Sequence, residues 1–585
     1  MASLDVWTGE LKVVFAIDIG TTQSAVSFLY LLPGQRPRVE HVSSWPDQPE
    51  AAERAKVLTA MFYDQSGTPR AYGGRTKMDK IVEQGEKEGW AYVHSFKRHV
   101  HQLGRPFSET TVDKANILTL PPNINIDSVY RDWLKYLFQH ARSIFVSKFG
   151  NEVWQRLAPT VEVVFTVPNG WYTQEYGFLA RAAVAAGIIK DDLKAAFVPE
   201  TEAAVHWAML EGKLKLDAGT KFIVCDSGGS TTDIALYSVN QRSPLKLQEI
   251  QGFPSKCIEA GSELIDDSFD DMVGHMFADK LDDEGIAKLS EDVRAEFSKA
   301  KTTFDASEDI YTFPVDVETE KNYFPDGKLE VPREDVAKHF DKEIQLIISG
   351  INELKGKNDP KHLLLLGDFG NSPYFQDQLR DEYEPGMPVI QGGKKNVKAA
   401  VSGALVWFLK HSVVARAARF AFGQRIIVPY NSHDPEHVKR GFARYPNGDF
   451  VNGGWDLVVP YGMLLKDNQE RKKSYYRAYT TKDARLADFN TSVFTANETA
   501  ANTQWVCDSA GKFVEGIQEI CTINADISNL QGKLPMRNGP NGPYWYLEFE
   551  VAIAFGSTSP SARILWVENG KTCQGPATLI PAEFV

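Results

Sequence analysis

Phe15-Ala16-Ile17-Asp18-Ile19-Gly20-Thr21-Thr22 and Ile223-Val224-Cys225-Asp226-Ser227-Gly228-Gly229-Ser230 are two copies of one pattern within the same chain. In register, Asp18 falls on Asp226 and Gly20 on Gly228. Each copy reads as an apolar strand, an acid, a tight turn of small and hydroxylated residues, and a second strand, residues 24–31 in one case and 233–239 in the other. The spacing predicts a β-hairpin with a polar tip, twice over. Such a tip suits a phosphate: glycine lets backbone N–H groups approach its oxygens, hydroxyls add donors, and the carboxylate can hold Mg2+ through its water shell. One copy alone reads as an ordinary hairpin turn. Two in matching register read as tips that could face each other and clamp one polyphosphate. No Walker A loop competes, because Gly356-Lys357 is followed by Asn358 where that motif needs Ser or Thr.

Outward from the two copies, β-like and helical runs alternate from Val13 to about residue 410, the pattern of an α/β domain. Residues 161–167 form an apolar, β-branched strand that feeds a helix over 173–187, with Tyr176, Leu179, Ala183 and Ala186 at helical spacing and Gly187 as a stop. Residues 362–366 read as a short buried strand and 399–409 as an apolar helix packed inside the domain. After that the texture changes. Asn447-Gly448, Asn452-Gly453, Asn538-Gly539, Asn541-Gly542 and Asn569-Gly570 are turn signals that punctuate strands. Within 544–555, Trp545, Leu547, Phe549, Val551, Ile553 and Phe555 share one face, and Tyr544, Tyr546, Glu548 and Glu550 the other. A β-rich domain is therefore expected over 411–585, joined by 412–422, which lacks linker composition and reads as a helix or strand docking the two parts.

Composition narrows the function. The 585 residues carry 64 Lys plus Arg against 77 Asp plus Glu, a net −13, and the only tight basic run is Arg471-Lys472-Lys473, so nucleic acid is not expected as a partner. Apolar residues at 43% and charged ones at 24% predict a folded chain with a sizeable core, and the length predicts several domains. The five cysteines are odd in number and never spaced Cys-x-x-Cys, which argues against a disulfide framework or zinc ribbon. No basic and apolar leader opens the sequence and no run is long enough to span a bilayer, so a cytoplasmic protein without a membrane partner is expected. His433 and His437 lie four apart, but Asp434-Pro435 between them favours a turn over a metal-binding helix.

Asp18-Ile19-Gly20-Thr21-Thr22 resembles the first phosphate loop of the actin and 70-kDa heat-shock chaperone superfamily, and the eight residues from Asp226 to Asp233 resemble the second. Three further segments follow in the family's order. Val167-Pro168 with Val198-Pro199-Glu200-Thr201-Glu202-Ala203-Ala204 is similar to its first connecting region, Leu364-Leu365-Leu366-Gly367-Asp368 to its adenosine motif, and Ala400-Val401-Ser402-Gly403-Ala404 to its closing helix. The Glu200-Thr201-Glu202 wording resembles the divergent heat shock 70 kDa protein 12 branch. The resemblance implies a two-lobed, duplicated ribonuclease-H-like ATPase domain over 1–410, with lobe I about 1–212 plus a closing helix at 396–410, and lobe II about 213–395.

It also implies ATP or ADP with Mg2+. Asp18, Asp226 and Asp233 would gather the hydrated ion, and Gly20, Thr21, Thr22, Gln23, Gly228, Gly229, Ser230 and Thr231 would surround the phosphates. Glu200 would orient the attacking water and Lys97, within Ser95-Phe96-Lys97-Arg98, would supply positive charge, with Asp226 and Thr231 counted in the catalytic set. Lys301, Gly367, Asp368 and Phe369 would face the nucleoside. Local alternatives stay open: Glu202 competes with Glu200, the acids could be caps or turn residues, Lys97 a surface lysine and Phe369 a core residue. Two departures stand out. Gly367-Asp368-Phe369-Gly370-Asn371 replaces the family's Gly-Gly-Ser-x-Arg, losing the arginine that stacks on the base, and neither the acidic Leu-rich linker nor a helical lid is recognisable after Lys410. The expected function is an ATP-binding, weakly hydrolysing chaperone-like protein with a protein client or co-chaperone. A nucleotide-binding scaffold without turnover and a small-molecule kinase of the same fold are the alternatives.

Overall fold

The computed structural model describes residues 4–47, 55–101, 120–171, 173–190, 194–211, 216–242, 245–315, 324, 326–391, 399–410, 413–466, 469–555 and 560–576. Both quoted stretches are hairpins at the centre of a sheet. Lys12–Ile19 pairs antiparallel with Gln23–Leu31 and parallel with Glu162–Val167. Lys221–Ser227 pairs antiparallel with Thr232–Arg242 and parallel with Leu363–Leu366. The sheets continue alike. The first runs Val39–His41, Gln23–Leu31, Lys12–Ile19, Glu162–Val167, Ala195–Pro199, and the second has Leu245–Glu249, Thr232–Arg242, Lys221–Ser227, Leu363–Leu366, Val389–Gln391 in the corresponding places. Each thus has strand order three-two-one-four-five, and the parallel neighbours require helical crossovers. The chain has an α/β fold of two like lobes with a β-rich region after them.

The central strands are apolar on both faces because both faces are covered. Phe15 and Ile17 pack with Trp133, Leu137 and Phe145 of the helix Ile126–Phe149, whereas Val14 and Ala16 turn to Val401, Ala404 and Leu405 of the helix Ala399–Lys410. In the second lobe Ile223 and Cys225 meet Ile344, Ile347 and Ile351 of the helix Arg333–Lys355, while Phe222 and Val224 face Ala204, Val205 and Ala208 of the helix Glu200–Leu210. The helices Glu200–Leu210 and Ala399–Lys410 therefore lie back to back between the sheets. They touch so closely that a Cβ on Gly403 would fall 1.8 Å from the Ala203 carbonyl oxygen, so only glycine fits. Period-two alternation then has a functional consequence. Asp18 shares the inner face with Val14 and Ala16, and Asp226 shares it with Phe222 and Val224, so both acids are aimed at the space between the lobes.

The C-terminal region packs two five-stranded sheets face to face. One runs Ala443–Tyr445, Gly448–Val459, Ala421–Pro429, Phe489–Ala496, Ile517–Ala525, and the other Gln469–Tyr479, Gly542–Phe555, Pro560–Glu568, Lys571–Gln574, with Met536–Gly539 beside Gly542–Phe555. Phe422, Phe489, Val493 and Ile523 of the first meet Leu547, Phe549, Val551, Ile553 and Ile564 of the second. The alternation read from 544–555 is realised, with Trp545 at the margin of this core and the side chain of Phe555 outside the described residues. At Asn569-Gly570 both residues take positive φ, 51° and 76°, and close the turn between Pro560–Glu568 and Lys571–Gln574.

Within the segment read as a dock, Val413–Ala417 joins the sheet of the second lobe, parallel to Leu245–Glu249, and Leu464–Lys466 pairs onto its other side. Residues 212–213, 396–398 and 411–412, at the lobe and domain borders drawn from the sequence, lie outside the described residues. Asp434-Pro435 opens a short helix, Pro435–Arg440, where a turn was expected. Asp434 caps it by accepting from the N–H groups of Glu436 and His437, and Pro435 sits where a missing N–H costs nothing. Among the described residues no helix is long and apolar enough to cross a membrane.

Candidate functional site

The two tips meet. In each the glycine after the acid closes the same turn, Gly20 N–H to the Gln23 carbonyl at 3.1 Å and Gly228 N–H to the Thr231 carbonyl at 2.9 Å. A Cβ on Gly20 would lie 2.3 Å from the Gln23 oxygen, which is why this corner takes no side chain. Across the lobes the Thr21 and Ser230 hydroxyls share a buried hydrogen bond of 2.8 Å. Thr22 gives its carbonyl to the Thr59 N–H at 2.8 Å. The Gly228 and Gly229 carbonyls accept from the N–H groups of Ser262 and Glu263, which tie the second tip to the start of the helix Ser262–Phe277.

Below the tips the acids converge. Thr166 donates to Asp18 Oδ1 at 2.7 Å, and the Asn169 N–H donates to Asp233 Oδ1 at 2.8 Å, with Cys257 directly opposite Asp233 on the next strand. Asp226 lies directly opposite Asp233 in the second hairpin. Lys97, 5% exposed, donates to Glu200 Oε1 at 2.9 Å and is a buried cation of the cleft, so its reading as a surface lysine is set aside. Glu200 and Glu202 part company. Glu200 opens its helix beside Lys97, whereas Glu202, 1% exposed, turns to the other side and binds Arg416.

The balance of charge is sharply acidic. Burial, then the Glu200 charge, raises Asp18, against which Lys97 and Lys56 pull down. Burial with Glu200 and Asp18 pushes Asp226 up to about 8, and burial and Glu200 raise Asp233 well above the carboxylate range. Burial would lower Lys97, but Glu200, Asp18 and Asp233 outweigh it and leave it raised. Crowded, buried carboxylates of this kind, each raised by its acidic neighbours, fit a divalent cation that would relieve their repulsion. Among the described residues no three or more His, Cys, Asp or Glu side chains form a cluster that would hold a bare metal ion.

On the nucleoside side two of the expected residues are engaged within the second lobe. Phe369 is 3% exposed and stacks on Phe375 at 4.5 Å inside the second-lobe core, so its ring is not offered to a base. Lys301 donates to Asp266 Oδ2 at 2.6 Å and to the carbonyl of Ser262, the residue whose N–H binds the Gly228 carbonyl of the second tip, at 2.5 Å. Gly367 follows the strand Leu363–Leu366 and presses on the second tip, where a Cβ would be 2.1 Å from the Ser227 oxygen and 2.7 Å from Asp226 Oδ1. Asp368 forms an ion pair with Lys56 of the first lobe at 2.9 Å. Sequence reasoning missed Lys56, Thr166 and Asn169. Sheet register brings Thr166 and Lys56 to the acids, and Asn169 comes from the turn that follows the strand Glu162–Val167.

This arrangement can be set beside known proteins. No protein-family model matches the chain. The chain is similar to human heat shock 70 kDa protein 12B. The two are 22% identical over 288 residues, covering 39% of this chain and 40% of the relative, so the chain matches well under half of that protein's length. The likeness supports a relationship at the level of the 70-kDa heat-shock-like, actin-like ATPase superfamily.

Proposed function

We propose that the protein binds ATP with Mg2+ between its lobes, hydrolyses it slowly, and uses nucleotide state to move the lobes and with them the C-terminal β region. The observation that carries this reading is the pair of matched tips joined through Thr21 and Ser230 above a cluster of buried acids. Asp18, Asp226 and Asp233 would hold the hydrated ion, and Gly20, Thr21, Thr22, Gln23, Gly228, Gly229, Ser230 and Thr231 would enclose the phosphates. Mg2+, when bound, would neutralise charge on phosphate oxygens. Glu200 spends Oε1 on Lys97 and keeps Oε2 to accept from a water and orient it, while the Lys97 ammonium stabilises negative charge beside it. Multiple-turnover phosphate release that survives in the wild type and disappears in Glu200→Gln, with nucleotide binding retained, is the expected result. Equal turnover in the variant would remove Glu200 from that role.

Movement of the β region is proposed from its attachment. Arg416 forms a bidentate pair with Glu202, two residues from Glu200, and Arg419 donates to the carbonyl of Asn169, whose N–H holds Asp233. Mg-ATP should therefore change protease cleavage after residue 410, and an unchanged pattern would leave binding without transmission. A second reading, a scaffold that binds nucleotide without turnover, is favoured by Phe369 lying in the core and Asn371 standing where the family's arginine would stack. Chaperone activity toward a protein client in the cytoplasm belongs to the first reading.

A further inference from the structure

Lys56 reaches the cleft by a route that the second lobe does not repeat. In the first lobe the inner-face row across the sheet is Thr166, Asp18, Ala25, Lys56, each directly opposite the next. The corresponding row in the second lobe is Leu366, Asp226, Asp233, Cys257. Where the second hairpin sets an acid against its acid, the first sets a small alanine, and the lysine on the next strand can extend over it toward Asp18. Its ammonium then spans the lobes to both oxygens of Asp368, at 2.9 Å each. The partners differ in wetness: the lysine side chain is 15% exposed and the aspartate 44%.

A cation so far out of water needs an anion, whereas a half-exposed carboxylate returns to water at little cost. The other acids beside Lys56 are Asp18 and Asp226, which are the groups offered to a hydrated cation. We propose that Lys56 is a further phosphate-binding residue of this cleft, held by Asp368 and passed to the polyphosphate of a nucleoside di- or triphosphate when one lies between the tips. This rests on the nucleotide reading above. Asp368 is then a stand-in anion that competes with the ligand, and the flexible four-carbon stem of lysine makes the exchange a rotation of one side chain.

The test is calorimetric titration of Mg-ADP and of Mg-pyrophosphate into the full chain, in the wild type, Lys56→Gln and Asp368→Asn. Loss of a charge-assisted contact should weaken both ligands about 10- to 100-fold in Lys56→Gln. Removal of the competitor should tighten both several-fold in Asp368→Asn. If the pair were only a clasp between lobes, both variants would shift affinity in the same direction, and that result overturns the proposal. Should Lys56→Gln fail to fold, as judged by thermal unfolding, Asp368→Asn decides alone: tighter binding supports the exchange, unchanged or weaker binding refutes it. Failure of the wild type to bind either ligand is a distinct outcome, in which the nucleotide reading falls and the role of Lys56 with it.

Discussion

Replacing Arg416 with methionine should cost about 3 kcal/mol, at the lower end of what is lost when one partner of a buried ion pair is removed. The figure follows from the geometry. Arg416 Nε donates to Glu202 Oε2 at 2.9 Å, and Nη2 to Oε1 and Oε2 at 2.7 and 2.8 Å. Glu202 is 1% exposed, so truncation strands a carboxylate that water cannot reach, while Arg416 at 24% keeps some contact with solvent and holds the cost down. Glu202→Gln with Arg416→Met removes both charges and should cost only about 1 kcal/mol, because the desolvation penalty goes with the charge. The assay is urea unfolding of the two single variants and the double variant, analysed as a double-mutant cycle. The arginine also pins Val413–Ala417 to the lobes together with the Ala417 N–H, which donates to Glu249 at 2.7 Å. The single variant should therefore expose the stretch after residue 410 to protease first. A cost below about 1 kcal/mol for Arg416→Met, or a double variant no better than the sum of its parts, would refute the reasoning.

Two further outcomes test the packing and the electrostatics. Gly403→Ala should destabilise by about 2–3 kcal/mol, since its methyl would meet the Ala203 carbonyl at 1.8 Å and force the two central helices apart; thermal unfolding close to wild type would contradict that contact. Burial pushes Glu343 of the helix Arg333–Lys355 up to about 7 from its ordinary 4.5, so between those values the folded chain holds a proton the unfolded chain has lost. Stability from this group is then lost as pH rises from about 4.5 through 7, about 3 kcal/mol by pH 8, and Glu343→Gln should be more stable than wild type by roughly that amount at pH 8 and equal to it at pH 4. A difference that does not change with pH would rule the group out.

The hairpins were legible because a strand, an acid and a glycine turn leave a local signature, and because that signature occurs twice. Alternation likewise exposed the buried face of 544–555, where Leu547, Phe549, Val551 and Ile553 fill the space between two sheets. Glu200 could not be separated from Glu202 in the sequence. Both open one helix, and what divides them, Lys97 on one side and Arg416 on the other, comes from residues more than a hundred positions away. Phe369 was read toward the ligand by analogy of position, yet an aromatic beside Phe340 and Phe375 gains more from the core. Lys56 left no trace, because its meaning depends on which residue the sheet sets opposite Ala25. Residues 412–422 were open to a helix or a strand, and the sheet that Val413–Ala417 joins was hidden for the same reason: a short apolar run does not name its partner.

Calorimetric titration of Mg-ATP into the full chain, beside Asp18→Ala and Asp226→Ala, tests the central claim most directly. The account predicts saturable binding by the wild type that is lost in both variants, one from each tip. Binding that persists in either variant, or none in the wild type, would contradict the clamp.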